Sequence, residues 1–393
     1  MTNRRLVLKT ACAAGAMALA SSPLSTWAQS ATIKVGLIFT MTGPFASTGK
    51  QLEAGARHFL RENGDTFGGK KIELVIRDDA GQPDQAKRIA QELIVNDKVQ
   101  VLGGFSLTPL ALSVAPIATQ SKTPSVVFVA ATSSVIDASP YFIRSSFTLP
   151  QVTIGVAEWA PKNGIKSVVT LVSDFGPGLD AEGAFKERFM LNGGTIKAAI
   201  RVPLRNPDFA PYLQKVRDEK PDAVFVFLPA GVGSLFMKQF AERGLDKAGI
   251  RLIATGDVTE DDILNEMGDV ALGVVTSHHY SAMHPSPANK KFVESFKKAN
   301  GGKRPNYMAV AAYDGMRVIA NALKTTKGET GDALLNAMKG QTFESPRGPV
   351  LINGQTRDIV QDVYIRRVER VGGELYNVEF ETLKSVQDPG RNH

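Results

Sequence analysis

Three short segments hold residues whose types and spacing suit the capture of an anion. Thr40-Met41-Thr42-Gly43-Pro44 follows an apolar run, and Gly103-Gly104-Phe105-Ser106-Leu107-Thr108-Pro109 follows another. In the second segment two glycines let the backbone turn, Thr108 suits a helix N-cap and Pro109 the first helical position. A helix start of this kind offers unpaired N–H groups and partial positive charge, which favour a carboxylate. The third segment, Ala130-Ala131-Thr132-Ser133-Ser134, combines small residues with hydroxyl donors. Turn and capping chemistry alone explains each segment taken singly; three in successive units point to a shared anion site.

Other clusters favour less specific roles. Gly176-Pro177-Gly178 followed by Gly183 does not match the Gly-x-Gly-x-x-Gly of dinucleotide folds. Ser106 lacks the second glycine of a nucleophile elbow, and no histidine context of a hydrolase follows. His278 and His279 are neighbours in a predicted strand, where side chains alternate between faces. They are therefore expected to diverge and, with His284, to serve surface or interlobe packing rather than a metal. Asp78-Asp79 and Glu260-Asp261-Asp262 are expected as loop and helix-start acids. No metal and no cofactor is expected.

The elements that must position the three segments alternate in a regular rhythm. Apolar runs at Ile33–Phe39, Lys71–Arg77, Val99–Gly103 and Ser125–Val129 predict strands, separated by helical stretches at Phe45–Asn63, from Pro83 to about Asn96, and from Thr108. The rhythm repeats with strands at Ser167–Val172, Thr195–Val202, Ala223–Leu228 and Arg251–Ala254, with helices starting near Pro150, Gly178, Asp208 and Gly231. Helices at Pro287–Asn300, Tyr307–Lys324 and Asp332–Lys339 follow. The strands Pro349–Ile352, Ile359–Val368 and Leu375–Phe380 close the chain, with Asn353-Gly354 as a tight-turn signal. The pattern predicts an α/β protein of two similar, parallel-rich lobes, and in such sheets ligands sit beyond the carboxyl ends of the strands. No linker rich in Pro, Gly or Ser divides them, as expected if the chain crosses between lobes several times.

The first 28 residues read as an export signal: Arg4, Arg5 and Lys9 precede the apolar run Ala11–Ala20, which Ser21-Ser22-Pro23 ends. That run is about half the ~20 residues of a spanning helix. Thr26-Trp27-Ala28 places cleavage before Gln29, and the adjacent arginines also resemble a twin-arginine signal. The single cysteine, Cys12, lies inside the signal, so the mature chain has no disulfide and no cysteine chemistry. The whole chain carries a formal charge of +7, of which the signal holds three, and no basic block suggests nucleic acid.

The blocks IKVGLIFTMTGPFASTG, GGKKIELVIRDDAGQPDQA, GGFSLTPLAL and FVAATSSVI, continued by PDAVFVFLPAGVGSLFMKQF, GDVTEDDILNEMGDVALGVVTS and YMAVAAYDGMRVIANAL, run in collinear order along the mature chain. Together they resemble the leucine/isoleucine/valine-binding protein family of ABC-transporter receptors, of the type I periplasmic binding fold. The resemblance implies two Rossmann-like lobes joined by a three-crossover hinge, 29–149 with 281–345 and 150–280 with 346–393. It implies a monomeric, non-catalytic periplasmic receptor that closes on a small carboxylate and docks on permease subunits, without stable membrane insertion. By the same resemblance the ligand meets Ser106, Leu107 and Thr108, then Ala130, Ala131 and Thr132, on the first lobe, and Asp257 on the second, where relatives complete an ammonium site. Phe175, Pro229 and Ala230 stand where tyrosines and another aromatic often close the pocket, and Thr48 and Phe105 are further pocket candidates. Loss of those groups suits an aromatic acid at least as well as an amino acid. A sensory module and an exported enzyme are the alternative readings of such a scaffold.

Overall fold

The computed structural model describes residues 32–391. The export signal, its cleavage point, the twin-arginine motif and Cys12 lie outside the described residues. The first sheet contains β1 (Thr32–Phe39), β2 (Thr66–Phe67), β3 (Lys70–Asp78), β4 (Val101–Gly104), β5 (Ser125–Val127) and β6 (Phe142–Arg144) in the order β2-β3-β1-β4-β5-β6. All its pairings are parallel except that of β2 with β3. Strands β4 and β5 are buried along their whole length, which explains why they read as continuous apolar runs rather than alternating ones. Helix α1 (Ala46–Asn63) turns Leu52, Ala56 and Phe59 onto one face of this sheet, while α2 (Pro83–Val95) and α3 (Thr108–Ser121) turn Ile89, Leu93, Leu110 and Val114 onto the other.

After α4 (Leu149–Lys162) the pattern repeats. The strands β7 (Ser167–Ser173), β8 (Thr195–Val202), β9 (Ala223–Phe227), β10 (Arg251–Thr255) and β11 (Val275–His278) run β8-β7-β9-β10-β11, all parallel. Helices α4 and α5 (Gly176–Leu191) pack together beside this sheet, and α6 (Ala210–Glu219), α7 (Gly233–Glu242) and the single turn α8 (Leu264–Met267) complete the unit. The chain then returns to the first lobe, where α9 (Pro287–Ala299) and α10 (Tyr307–Thr326) both pack on α1, and α11 (Asp332–Met338) packs on α10. Strands β12 (Thr342–Ser345), β13 (Gly348–Ile352), β14 (Ile359–Val371) and β15 (Glu374–Val386) extend the second sheet antiparallel past β11. The chain thus crosses between two α/β lobes after β6, after β11 and after α11.

Several details depart from the sequence pattern, and the short strands β2 and β6 fall under none of the predicted runs. Strand β12 has no apolar run to announce it, and by its pairing it belongs to the second sheet. Asn353-Gly354 is not a two-residue turn, because β13 and β14 are joined by residues 353–358. Instead the Asn353 carboxamide oxygen accepts from the amides of Gln355 and Thr356, closing a wider loop. Among the described residues no helix is long and apolar enough to cross a membrane.

Candidate functional site

Each five-stranded parallel unit reverses its strand order beside its first strand, so loops on either side of that point diverge and leave a crevice. The two crevices face one another across a cavity of about 410 Å³, a volume that takes in its opening to solvent. The first lobe contributes Phe45 and Thr48 after β1, Ser106, Leu107 and Thr108 after β4, Val129 and Ala131 after β5, and Phe147 and Leu149 after β6. The second contributes Phe175 and Pro177 after β7, Phe227, Pro229 and Ala230 at the end of β9, and Asp257 after β10, while Met308 of α10 completes the lining.

The loop after β4 is held by unusual backbone geometry. Gly104 has φ 115°, and a Cβ there would run into the Ile38 carbonyl oxygen, so only glycine fits. Phe105 follows with φ 67°, a conformation costing a non-glycine residue about 1–3 kcal/mol. Its amide donates to Ile38 O and its carbonyl accepts from Ala130 N, both at 3.0 Å, and its ring stacks on Phe142. Phe105 therefore shapes the site from behind and does not line it. The helix begins one residue earlier than a Thr108 N-cap would place it: Leu107 is the N-cap and Thr108 the first helical residue. Freed from capping, the Thr108 hydroxyl reaches Thr132 Oγ1 at 2.8 Å. The Ser106 hydroxyl accepts from Thr40 N at 3.1 Å. Among the described residues no hydrogen bond occupies the amide N–H of Ser106, Thr108 or Ala131, all three of which line the cavity.

Two expected residues also stand behind the lining. Ala130 is buried, and the carbonyls of Ala130 and Thr132 accept from the two terminal nitrogens of Arg144 at 2.7 and 2.9 Å. Arg144 is fully buried and its charge is balanced by Asp358, 2.9 Å away in the loop between β13 and β14. The loop of small residues is thus clamped by a guanidinium that nothing in its own stretch of sequence announces. Asp78 and Asp79 play a comparable part after β1: Asp78 accepts from Met41 N and Thr42 Oγ1, and Asp79 from Thr40 Oγ1.

On the second lobe Asp257 is 3% exposed. Its Oδ1 accepts from the Tyr307 hydroxyl at 2.7 Å, while Oδ2 has no partner among the described residues. Burial raises its carboxyl above the usual range, against the pull of the Tyr307 and Thr255 hydroxyls and of the nearby Arg366. Phe175 and Phe227 stack with centroids 6.0 Å apart and form an apolar wall. Phe45, Phe147, Phe227 and Met308 line the cavity without having been expected there. Phe227 ends a strand and is within reach of the strand-end rule, whereas Met308 arrives on a helix far along the chain.

The lobes touch around the cavity. Gln51 Nε2 donates to Asp262 at 3.0 Å, Asn306 Nδ2 donates to Asp262 at 2.9 Å, and Ser133 N donates to Asp180 at 2.9 Å. The acids at 260–262 do lie in a loop, but Glu260 and Asp261 are buried rather than solvated helix-start groups. His278 and His279 are fully buried as well, with ring centroids 4.4 Å apart. Their expected divergence fails because β11 ends at His278, so strand alternation lapses there. Burial pushes both imidazoles well below their usual pKa. His284 pairs instead with Glu379 at 2.8 Å. Among the described residues no group of three or more His, Cys, Asp or Glu is placed to hold a metal.

Comparison with known proteins agrees with this architecture. A family model described as periplasmic binding protein matches residues 32–374. A Leu/Ile/Val-binding protein homolog of Brucella melitensis is 44% identical over 363 residues, covering 91% of this chain and 93% of its own. The solute binding protein of an ABC transporter from Rhodopseudomonas palustris BisB5, in complex with 3,4-dihydroxybenzoic acid, is 59% identical with a TM-score of 0.90, over 91% of this chain and 99% of its own. A second, from R. palustris HaA2 in complex with p-hydroxybenzoic acid, is 43% identical with a TM-score of 0.88 over the same shares.

Proposed function

The chain belongs to the periplasmic binding protein family, and on that premise we propose that it is the exported receptor of an ABC importer for an aromatic carboxylate. The observation that carries the ligand class is the division of the cavity wall. Phe45, Phe147, Phe175 and Phe227 supply aromatic surface, and among the described residues no lysine or arginine lines the site. The first lobe offers unoccupied amides at the start of a long helix together with the Thr108 hydroxyl, a neutral donor set that suits a carboxylate. The similar R. palustris proteins were seen with hydroxylated benzoic acids. Amino-acid transport, and leucine in particular, is a narrower description than this wall supports.

Each group around the cavity then has a role. Ser106, Thr108 and Ala131 hold the carboxylate, Thr132 orients Thr108, and Phe175 and Phe227 cover the ring. Leu107, Thr48, Pro229 and Ala230 shape the space. Among the described residues the moving bodies are 32–149 with 281–341 and 150–280 with 342–391, the strand Thr342–Ser345 being counted with the sheet it joins. Ligand bridges them and stabilises the closed form through its higher affinity for that form, the hinge closure by which periplasmic binding proteins in general take up their solutes. Binding involves no bond made or broken, and the closed shape is what permease subunits would recognise. Delivery to the periplasm uses the signal at residues 1–28, by the general or the twin-arginine route. Mass spectrometry of the compound retained by gently purified protein tests the ligand class: an aromatic carboxylate is expected, and a retained amino acid would overturn it.

A further inference from the structure

We propose that Asp257 is the acceptor for a ring hydroxyl and selects hydroxylated aromatic carboxylates over their unsubstituted parents. The inference rests on the aromatic-carboxylate reading and assigns chemistry to the wall opposite the carboxylate donors. Asp257 lines the cavity from the second lobe, whereas Ser106, Thr108 and Ala131 line it from the first. A ligand that leaves its carboxylate with the first lobe therefore presents the far edge of its ring to Asp257.

The two oxygens of Asp257 are not equivalent. Oδ1 accepts from the Tyr307 hydroxyl at 2.7 Å, and Tyr307 is itself fixed at the start of α10. Oδ2 is buried with no partner in hydrogen-bond geometry among the described residues, although the Thr255 hydroxyl, likewise unpartnered, lies near enough to stabilise the carboxylate. An ionised carboxylate only accepts, so the missing partner must be a donor. Leaving such an oxygen unsatisfied costs more than an ordinary hydrogen bond gains, which penalises a ligand with bare carbon at that edge.

A phenolic hydroxyl supplies one donor, and one acceptor is open. An ammonium group carries three donors and would need further acceptors. The unpaired oxygen thus discriminates against a bare ring edge, and its single open site matches one hydroxyl donor better than the three donors of an ammonium group. Arg366, fully buried and electrostatically coupled to Asp257, offsets the repulsion between this carboxylate and an anionic ligand.

Calorimetry with benzoate, 4-hydroxybenzoate and 3,4-dihydroxybenzoate on the wild type, Asp257→Asn and Tyr307→Phe tests the assignment. The wild type should prefer at least one hydroxylated acid over benzoate by about ten- to a hundred-fold, the range of a hydrogen bond to a charged group. In Asp257→Asn the amide oxygen stays with Tyr307 and the ligand hydroxyl can only accept a neutral bond from the N–H₂ group in place of donating to a charged oxygen, so the preference should fall severalfold. Tyr307→Phe, which keeps the carboxylate but frees Oδ1, should retain a preference. Equal binding of all three acids by the wild type, or an undiminished preference in Asp257→Asn, would overturn the assignment and leave the aromatic-carboxylate reading standing. Binding of none of the three would overturn both.

Discussion

Thr108 and Thr132, on successive loops of the first lobe, share a hydrogen bond of 2.8 Å between their hydroxyl oxygens. One hydroxyl proton is committed to that bond and the other is free to point into the cavity, toward which Thr108 faces. Thr132→Val keeps the shape of the loop but removes the pairing that orients Thr108. The ligand carboxylate then loses an oriented donor, at a cost of about 1.5–3 kcal/mol, roughly ten- to a hundred-fold in affinity. Titration calorimetry checks this, and an affinity within about twofold of wild type would remove the two threonines from the anion site.

Gly176 opens helix α5 on the second lobe, and a Cβ placed there would stand 2.7 Å from Thr132 Oγ1 on the first. The clash exists only while the lobes are together. Gly176→Ala should therefore weaken ligand binding by about 1–3 kcal/mol, the usual range for overpacking. The melting temperature of ligand-free protein should hold or rise slightly, since alanine restricts the unfolded chain. Small-angle scattering with saturating ligand should show less compaction than in the wild type; full compaction with wild-type affinity would contradict the closure mechanism.

The Arg144 clamp makes a separate prediction about stability. Arg144→Met leaves Asp358 buried without its nearest cation and frees the carbonyls of Ala130 and Thr132. Breaking a buried pair from one side costs about 3–5 kcal/mol, and denaturant unfolding should show a loss of that size. A loss below about 1 kcal/mol would mean that the pair is solvated in solution.

A pH dependence follows from Asp261. Burial raises its carboxyl to about 6, although Arg366 and Asn377 pull the other way. The unfolded group titrates near about 3.9. Between these values the folded chain binds more protons than the unfolded one, so stability falls as pH rises through that window, by at most about 1.4 kcal/mol per pH unit for this group. Its contribution is full below the lower value and is lost above the upper. Asp261 also faces the charges of Glu260 and Asp262 and the neutral phenol of Tyr280. Because Glu260, Asp262 and Asp257 are raised too, a residual slope persists. Asp261→Asn should flatten the decline of melting temperature between about pH 4 and pH 6 relative to the wild type. A parallel profile would show that Asp261 titrates elsewhere.

How much of the molecule is legible in the sequence depends on whether local signals decide the geometry. The alternation of apolar runs and helical periods locates nearly every parallel strand, because a strand buried on both faces leaves a run that little else produces. Ser106, Thr108, Ala131, Phe175 and Asp257 can be found because ligands gather at the ends of such strands and the chain resembles a known family. Thr108 is displaced by one position because the N-cap preference for threonine is overridden: its hydroxyl is worth more to Thr132 than to its own helix. Arg144, Asp358 and the buried acids at 260–262 escape a local reading, since burial of a charge depends on partners 44 to 214 residues away, as with Asp262 and Asn306 or Arg144 and Asp358. Phe147 and Phe227 read as ordinary core, and only the meeting of two lobes turns them into the wall of a cavity.

The most direct test of an aromatic-carboxylate receptor is calorimetry with matched acids on protein stripped of retained ligand: 4-hydroxybenzoate, then phenylalanine and leucine beside the same skeletons without the α-amino group. The expected result is heat and saturable binding with 4-hydroxybenzoate, and no preference for the aminated member of either pair. Tight binding of leucine or phenylalanine, displaced by no aromatic carboxylate and abolished in Asp257→Asn, would contradict it and make Asp257 the counter-charge of an ammonium group.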